Sequence, residues 1–286
     1  MTALRRDSWR VAVVGLGPMG LHHARAYARV PGARLVAVVD THTDRAAAAA
    51  AEFGCAALTD ARELIGRVDA VTVATPAATH AAVARPLLAA GVHCLVEKPL
   101  ALTAEDCRAL AAAATTAVLR VGHIERFNPA YRAFVATAPR NIGAVSARRL
   151  NMPGRAVALD VVSDLMVHDI DLALTLKRIA VSATSARRLG AEHVEAVVTF
   201  ADKSRATFAA DRQAAAPARD MTIMTENKTL HLDFGARSPA ANDPLTAELS
   251  DFLAACGGVP GIGATAADAL AALDVVWRIN RDLAAS

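Results

Sequence analysis

Aromatic residues make up only 4% of the 286 residues: seven Phe, two Trp and two Tyr. So sparse a set leaves few stacking platforms for nucleic-acid bases, and a net charge of +3 offers no basic footprint in their place; nucleic acid is not an expected partner. The four cysteines, Cys55, Cys94, Cys107 and Cys256, are widely separated and form no C-x-x-C pair, which argues against a disulfide framework and against zinc, and no metal site is expected. Long apolar runs are missing too. The longest stretch without Asp, Glu, Lys or Arg, Phe252 to Ala267, is too short and too broken by Gly257, Gly258, Pro260, Gly261 and Gly263 to cross a bilayer, so no membrane partner is expected. Arg5-Arg6 has the look of a twin-arginine export signal. No small-residue cleavage site follows it, however, and the apolar run behind it carries a glycine motif that a mature protein needs, so a cytoplasmic protein is expected. In that setting the sequon Asn227-Lys228-Thr229 is a chance match.

What is present is an ordinary globular composition, 54% apolar and 21% charged, long enough at about 150 residues per domain for two domains. Alanine runs such as Ala46 to Ala51 favour helix and say nothing of function. The first half alternates between strand and helix. Arg10 to Val14 is a β-branched run that leads into Gly15-Leu-Gly17-Pro18-Met19-Gly20, after which Leu21 to Arg29 has helical character. A second strand, Arg34 to Val39, ends in Asp40, the spacing at which an acid meets a ribose. Strand, glycine turn, helix, strand and acid together form a dinucleotide-binding unit. Gly15 permits the tight turn, Gly17 lets backbone approach a pyrophosphate, and Gly20 allows close helix packing, with the helix N-terminus facing the negative charge. Asp40 repels a 2′-phosphate and Thr41-His42-Thr43 offers no arginine to hold one; NAD is favoured over NADP, with Arg45 the one residue that argues the other way.

The alternation continues through a short capped helix at Thr59 to Glu63 and a strand from Asp69 to Ala74 ending at Thr75-Pro76. A helix from Ala81 to Ala90 follows, then the strand Val92 to Val96 ending at Glu97-Lys98-Pro99, a helix capped near Thr103, and Val118 to Gly122 as the closing strand. The expectation is an α/β chain whose residues 1–122 form a Rossmann domain, a doubly wound parallel sheet. Residues 123–286 change period. Ala144 to Leu150 reads as a strand and Leu159 to Arg178 as a helix facing the nucleotide domain. Five alternating strands follow between Val181 and Phe234, then helices at Pro244 to Ala255 and Ala264 to Ala284. This predicts an α+β domain with a largely antiparallel open sheet for substrate binding and oligomerisation, its C-terminal helix packing back on the first domain. An open sheet face of that kind suits self-association, so a homodimer or homotetramer is expected.

Lys98 sits at the carboxyl end of a strand, in the crevice where doubly wound sheets bind ligands. Asp164 and His168 share a helix face, and Asp171 lies almost a turn further on. Oxidising an alcohol with a nicotinamide requires a base for the hydroxyl proton and a cation for the developing alkoxide. His168 and Lys98 fit those roles, with Asp164 orienting the imidazole. His22-His23, adjacent on a helix, point in different directions, which makes them nucleotide-adjacent or packing residues and not a metal site.

Gly15-Leu-Gly-Pro-Met-Gly20, Thr75-Pro76, Glu97-Lys98-Pro99 and Asp164-Leu-Met-Val-His168-Asp-Ile-Asp171, in that order, resemble the glucose-fructose oxidoreductase and inositol dehydrogenase (Gfo/Idh/MocA) family across almost the whole chain. The resemblance implies an NAD(P)-dependent oxidoreductase with Lys98, Asp164 and His168 at the catalytic positions. Gly15, Gly17, Pro18, Met19, Gly20, Asp40, Thr75, Pro76, His80, Glu97 and Lys98 then fall at the cofactor. Gly122-His-Ile-Glu-Arg-Phe-Asn-Pro129 and the Leu-Met-Val-His-Asp-Ile-Asp segment look like the branch that includes UDP-N-acetylglucosamine 3-dehydrogenases. A nucleotide-sugar substrate is thereby implied, with Arg126, Asn128, Arg155, His168 and Asp171 as candidate contacts, Arg155 for the diphosphate. The alternatives are a free sugar, an inositol or another small carbonyl compound as substrate, or a nicotinamide-binding sensor without catalysis. The chain is shorter than many members, and its few aromatics leave sugar recognition to hydrogen bonds.

Overall fold

The computed structural model describes residues 8–137, 141–154, 157–236 and 243–285, so Arg5, Arg6 and Arg155 lie outside the described residues. The chain divides into two compact units, Met1–Ile124 with Asn242–Ala267, and Glu125–Ala241 with Asp268–Ser286. Each unit thus takes in a segment from near the C-terminus, where a single boundary after residue 122 was expected.

The first unit is a parallel sheet with helices. Its elements are β1 (Trp9–Val14), α1 (Pro18–Tyr27), β2 (Ala33–Val39), α2 (Thr43–Phe53), β3 (Ala56–Leu58), β4 (Ala70–Val73), α3 (His80–Ala89), β5 (His93–Glu97), α4 (Ala104–Ala113) and β6 (Leu119–Gly122). The strand order β3-β2-β1-β4-β5-β6 is that of a doubly wound Rossmann sheet. Central strands covered on both faces must be apolar throughout, and β4, Ala-Val-Thr-Val, is buried at all four positions. Its Thr72 is satisfied by the Tyr27 hydroxyl at 2.8 Å, which also fastens α1 to the sheet. The alanine run that carries no functional information is α2, and three-residue β3 is the strand that sequence leaves unplaced, too short to show a period.

The second unit holds α5 (Pro129–Ala136), β7 (Ile142–Leu150), α6 (Val167–Lys177), β8 (Val181–Gly190), β9 (His193–Phe200), β10 (Arg205–Asp211), β11 (Ala218–Thr225) and β12 (Thr229–Asp233). Helices α7 (Pro244–Cys256) and α8 (Ala266–Ala285) complete the chain. The sheet order is β12-β11-β7-β10-β9-β8, antiparallel except where β10 runs parallel to β7. Strict alternation in β9 buries Val194, Ala196, Val198 and Phe200 against the core shared with α6 and with Ala272, Val275, Val276 and Ile279 of α8. The C-terminal helix is therefore part of the second core, which corrects the expectation that it packs back on the first domain. It is α7 that returns there: Leu245, Leu249, Phe252 and Leu253, spaced for one helix face, join Val11, Leu16 and Tyr27 in the first core. On the other side of the second sheet, a row of small or polar side chains, Ser185, Val197, Thr207, Ser146, Thr222 and His231, runs across all six strands in register. No helix among the described residues is long and apolar enough to cross a membrane.

Buried charge fixes α6. Arg149, on β7, donates to both carboxylate oxygens of Asp169 at 3.0 and 2.7 Å and to Glu125 at 2.7 Å, with all three side chains nearly inaccessible. One guanidinium serves two carboxylates. Burial pushes the Asp169 pKa up, and Arg149 pulls it back only partly because Glu125 presses the other way. Removing one partner from such a cluster leaves uncompensated charge, so Arg149→Met is expected to cost about 3–5 kcal/mol. Without Arg149 to pull it back, the Asp169 carboxyl of the variant is pushed higher still and takes up a proton on folding at a pH where the wild type does not, so the deficit should narrow as pH falls from about 7 to about 5. Thermal denaturation of both proteins across that range measures both effects.

Candidate active site

In the first unit the chemistry gathers at the carboxyl ends of the strands. Gly15 has φ +88°, and a Cβ there would stand 2.8 Å from the backbone of Ala74, so both conformation and the close approach of β4 require glycine. At Gly20 a Cβ would fall 1.7 Å from the Gly15 carbonyl oxygen, which is the tight seating of α1 on the turn. Gly17 is different. A Cβ there would meet nothing within 4 Å, although Gly17 is the N-cap of α1 and no side chain caps that helix. Space over an uncapped helix N-terminus is what a pyrophosphate needs, so the turn fits a dinucleotide.

Asp40, at the end of β2, accepts from the backbone N–H of Leu16 at 2.9 Å and of His42 at 2.9 Å, and from Arg45 at 3.1 Å. Burial raises its pKa, but these donors outweigh burial and hold the carboxyl below its ordinary value. The carboxylate is thus ionised and fixed beside the turn, with a guanidinium in contact.

Glu97 and Lys98 follow β5. The Glu97 carboxylate receives the backbone N–H of Lys98 at 3.1 Å and pairs with His23 Nε2 at 2.8 Å, and it packs against Gly122, where a Cβ would come within 3.1 Å of it. Burial pushes Glu97 up, yet the His23 bond and the charges of His23 and Lys98 bring it below the usual carboxylate value. His23 therefore braces the loop that carries Lys98, a role the adjacent His22-His23 pair only hinted at, since no local pattern announces a partner 74 residues away. His80 spans two loops, with Nδ1 2.9 Å from the Pro99 carbonyl and Nε2 2.8 Å from that of Thr75; burial lowers its pKa, only partly offset by those carbonyls. The Lys98–Pro99 peptide is cis.

In the second unit the expected helix from Leu159 opens with a π-helical turn, Val162–Met166, before α6. Such turns recur at functional sites. Asp160 starts it by accepting from the N–H of Val162 and Ser163 at 2.9 and 3.0 Å. Asp164 and His168 are half-exposed, while Leu165, Met166, Val167, Asp169 and Ile170 are buried. A residue that the sequence did not single out stands beside them: Arg212, just past β10, comes within 3.5 Å of the Asp164 carboxylate. Lys98 belongs to the first unit, and Asp164 and His168 to the second.

Three candidate substrate contacts have partners within the second unit. Arg126 makes a two-pronged pair with Asp171 at 2.7 and 2.6 Å and also contacts Asp268, and both partners of the pair are buried. Asn128 caps α5 by accepting from the N–H of Ala130 at 3.1 Å, and it donates to Glu125 at 3.1 Å.

Residues 9–123 match a family described as oxidoreductases with an NAD-binding Rossmann fold, Gfo/Idh/MocA. UDP-N-acetylglucosamine 3-dehydrogenase of Acidithiobacillus ferrooxidans is 34% identical over 88% of this chain and 92% of its own length. The solved structure of that enzyme superposes with TM-score 0.91 at 32% identity, covering 98% of this chain and 99% of the other. Inositol 2-dehydrogenase 1 of Saccharopolyspora erythraea is 45% identical over 43% of this chain and 39% of its own. A structure of scyllo-inositol dehydrogenase from Lactobacillus casei with NAD(H) and scyllo-inositol shares the fold, with TM-score 0.87, 19% identity and 97% coverage of both chains. The chain belongs to the Gfo/Idh/MocA family of oxidoreductases. Within that family it is similar across its length to a UDP-N-acetylglucosamine 3-dehydrogenase, and it is an enzyme of the dehydrogenase class.

The two glycines separate fold from ligand. Gly20→Ala should lower the melting temperature and abolish cofactor binding together, because backbone must move. Gly17→Ala should leave the melting temperature within about 2 °C and weaken NADH binding by about tenfold or more. Thermal melts and fluorescence titration with NADH check both.

Proposed function

We propose that this protein is an NAD-dependent dehydrogenase that oxidises the C3 hydroxyl of a UDP-linked N-acetylhexosamine to the ketone. The observation that carries the substrate is likeness over 88% of the chain to a UDP-N-acetylglucosamine 3-dehydrogenase, where inositol 2-dehydrogenases such as those of Saccharopolyspora erythraea and Cereibacter sphaeroides match 43% and 70% of it. In this reading the first unit binds the cofactor and the second binds the sugar. NAD, when bound, supplies the hydride acceptor. His168 takes the hydroxyl proton as the C3 hydrogen departs with its electron pair, Lys98 offers its ammonium to the alkoxide that develops, and Asp164 orients the imidazole. Because Arg126 and Asp171 hold each other, the diphosphate is not assigned to them, and Arg155 remains the candidate for it. Self-association, as a homodimer or homotetramer, would use the face of the second sheet that carries the row from Ser185 to His231.

An ionised Asp40 favours NAD by bonding the ribose hydroxyls and repelling a 2′-phosphate. Arg45 lies in contact with it, so Asp40→Ser should free that guanidinium and shift the ratio of kcat/KM for NADP over NAD upward by about 10–100-fold. Kinetics with both cofactors decide; an unchanged ratio would remove Asp40 from cofactor selection.

The function itself is tested by NADH absorbance at 340 nm with NAD and, in turn, UDP-N-acetylglucosamine, UDP-glucose, glucose and myo-inositol. Turnover confined to the acetylated nucleotide sugar and reduced about 10²-fold or more in Lys98→Ala and in His168→Ala is the expected result. Turnover of free sugar or inositol alone would overturn the substrate; cofactor binding without turnover in either direction would favour a sensor.

A further inference from the structure

Arg212 is held from three directions. Its Nε and Nη2 meet Glu192 Oε2 at 2.7 and 2.6 Å, its Nη1 donates to the Leu159 carbonyl at 2.8 Å, and that same nitrogen lies 3.5 Å from Asp164 Oδ2. Its own backbone N–H returns to the Glu192 carbonyl at 3.2 Å. A guanidinium is a rigid planar fork. With two of its edges committed to Glu192 and Leu159, its remaining reach toward Asp164 is set before any substrate arrives. The anchors are close and Asp164 is at ion-pair distance, so the arginine is placed by Glu192 and Leu159 and in turn places the carboxylate. Leu159 directly precedes Asp160, whose side chain caps the π turn, so the same guanidinium also steadies the segment on which Asp164 rides.

We infer that Arg212 is a positioning residue for the dehydrogenase reaction, a fixed post that holds the Asp164 carboxylate in the orientation from which it steers His168. This rests on the acid–base roles proposed above for Asp164 and His168. Arg212 touches neither the hydride nor the transferred proton in this scheme; it acts through Asp164. Loss of the post should lower kcat, because the base is misaligned in the transition state, while leaving sugar and NAD binding nearly unchanged.

The test is a double-mutant cycle on the enzyme, with the sugar that the absorbance panel shows to be oxidised: wild type, Arg212→Gln, Asp164→Asn and both together. NADH affinity of each variant serves as a check on folding. Arg212→Gln is expected to lower kcat about 30-fold with KM within about threefold, and to cost less than about threefold when Asp164 is already Asn. Arg212→Lys, which keeps the charge but loses the planar fork, guards against a folding defect in the Gln variant and should still lower kcat by about tenfold. Glu192→Gln, which loosens one anchor, should lower kcat in the same direction and by less. Equal losses from Arg212→Gln in both backgrounds, or a change in KM alone, would overturn the role. If no sugar is oxidised, or Asp164→Asn retains wild-type kcat, the acid–base reading itself falls and the role with it; that failure shows in the Asp164 row and not in the Arg212 row.

Discussion

Helix α6 is pinned by two buried ion pairs on residues two apart. Asp169 is gripped by Arg149 and Asp171 by Arg126, and residues two apart on a helix of 3.6 residues per turn point about 200° away from each other. A helix held on two such sides cannot roll about its axis. His168, the neighbour of Asp169, therefore has its direction set by salt bridges that no substrate needs to touch. Desolvating so many charges is costly, and apolar packing could serve stability as well or better. The two pairs fix the rotation of α6, and with it the direction in which His168 leaves the helix.

The same logic recurs in the first unit with a single carboxylate. Glu97 joins His23 of α1 to the backbone of Lys98 and lies on Gly122, so the end of β5, the glycine turn's helix and the end of β6 are tied at one point. His80 ties the loops after β4 and β5 in turn. Within each unit, groups that the sequence offers as ligand contacts also hold one another.

How much of this was legible in the chain follows from the range of each interaction. The glycine turn, Asp40, Lys98-Pro99 and the Asp164/His168 spacing are local patterns on single elements, and the strands of both sheets show their period because each is half or wholly buried. Arg126 and Asn128 stand as candidate substrate contacts in the sequence because it shows residue type and not partner; Asp171, 45 residues away from Arg126, answers for its charge. Arg212 carried no pattern at all, since its three contacts are separated in sequence by up to 53 residues. The parallel pairing of β7 with β10, and the division of α7 and α8 between two cores, are likewise long-range facts that a period of 2 or 3.6 does not encode.

In the proposed reaction a hydride leaves C3 of an N-acetylated nucleotide sugar for the nicotinamide. Incubation of the protein with NAD and UDP-N-acetylglucosamine carrying deuterium at C3, followed by mass spectrometry of the recovered cofactor, tests it directly. The expected product is NADH one mass unit heavier, with deuterium at the nicotinamide C4 and none washed into solvent. Unlabelled NADH, or a sugar that keeps its deuterium while NADH is formed, would contradict it.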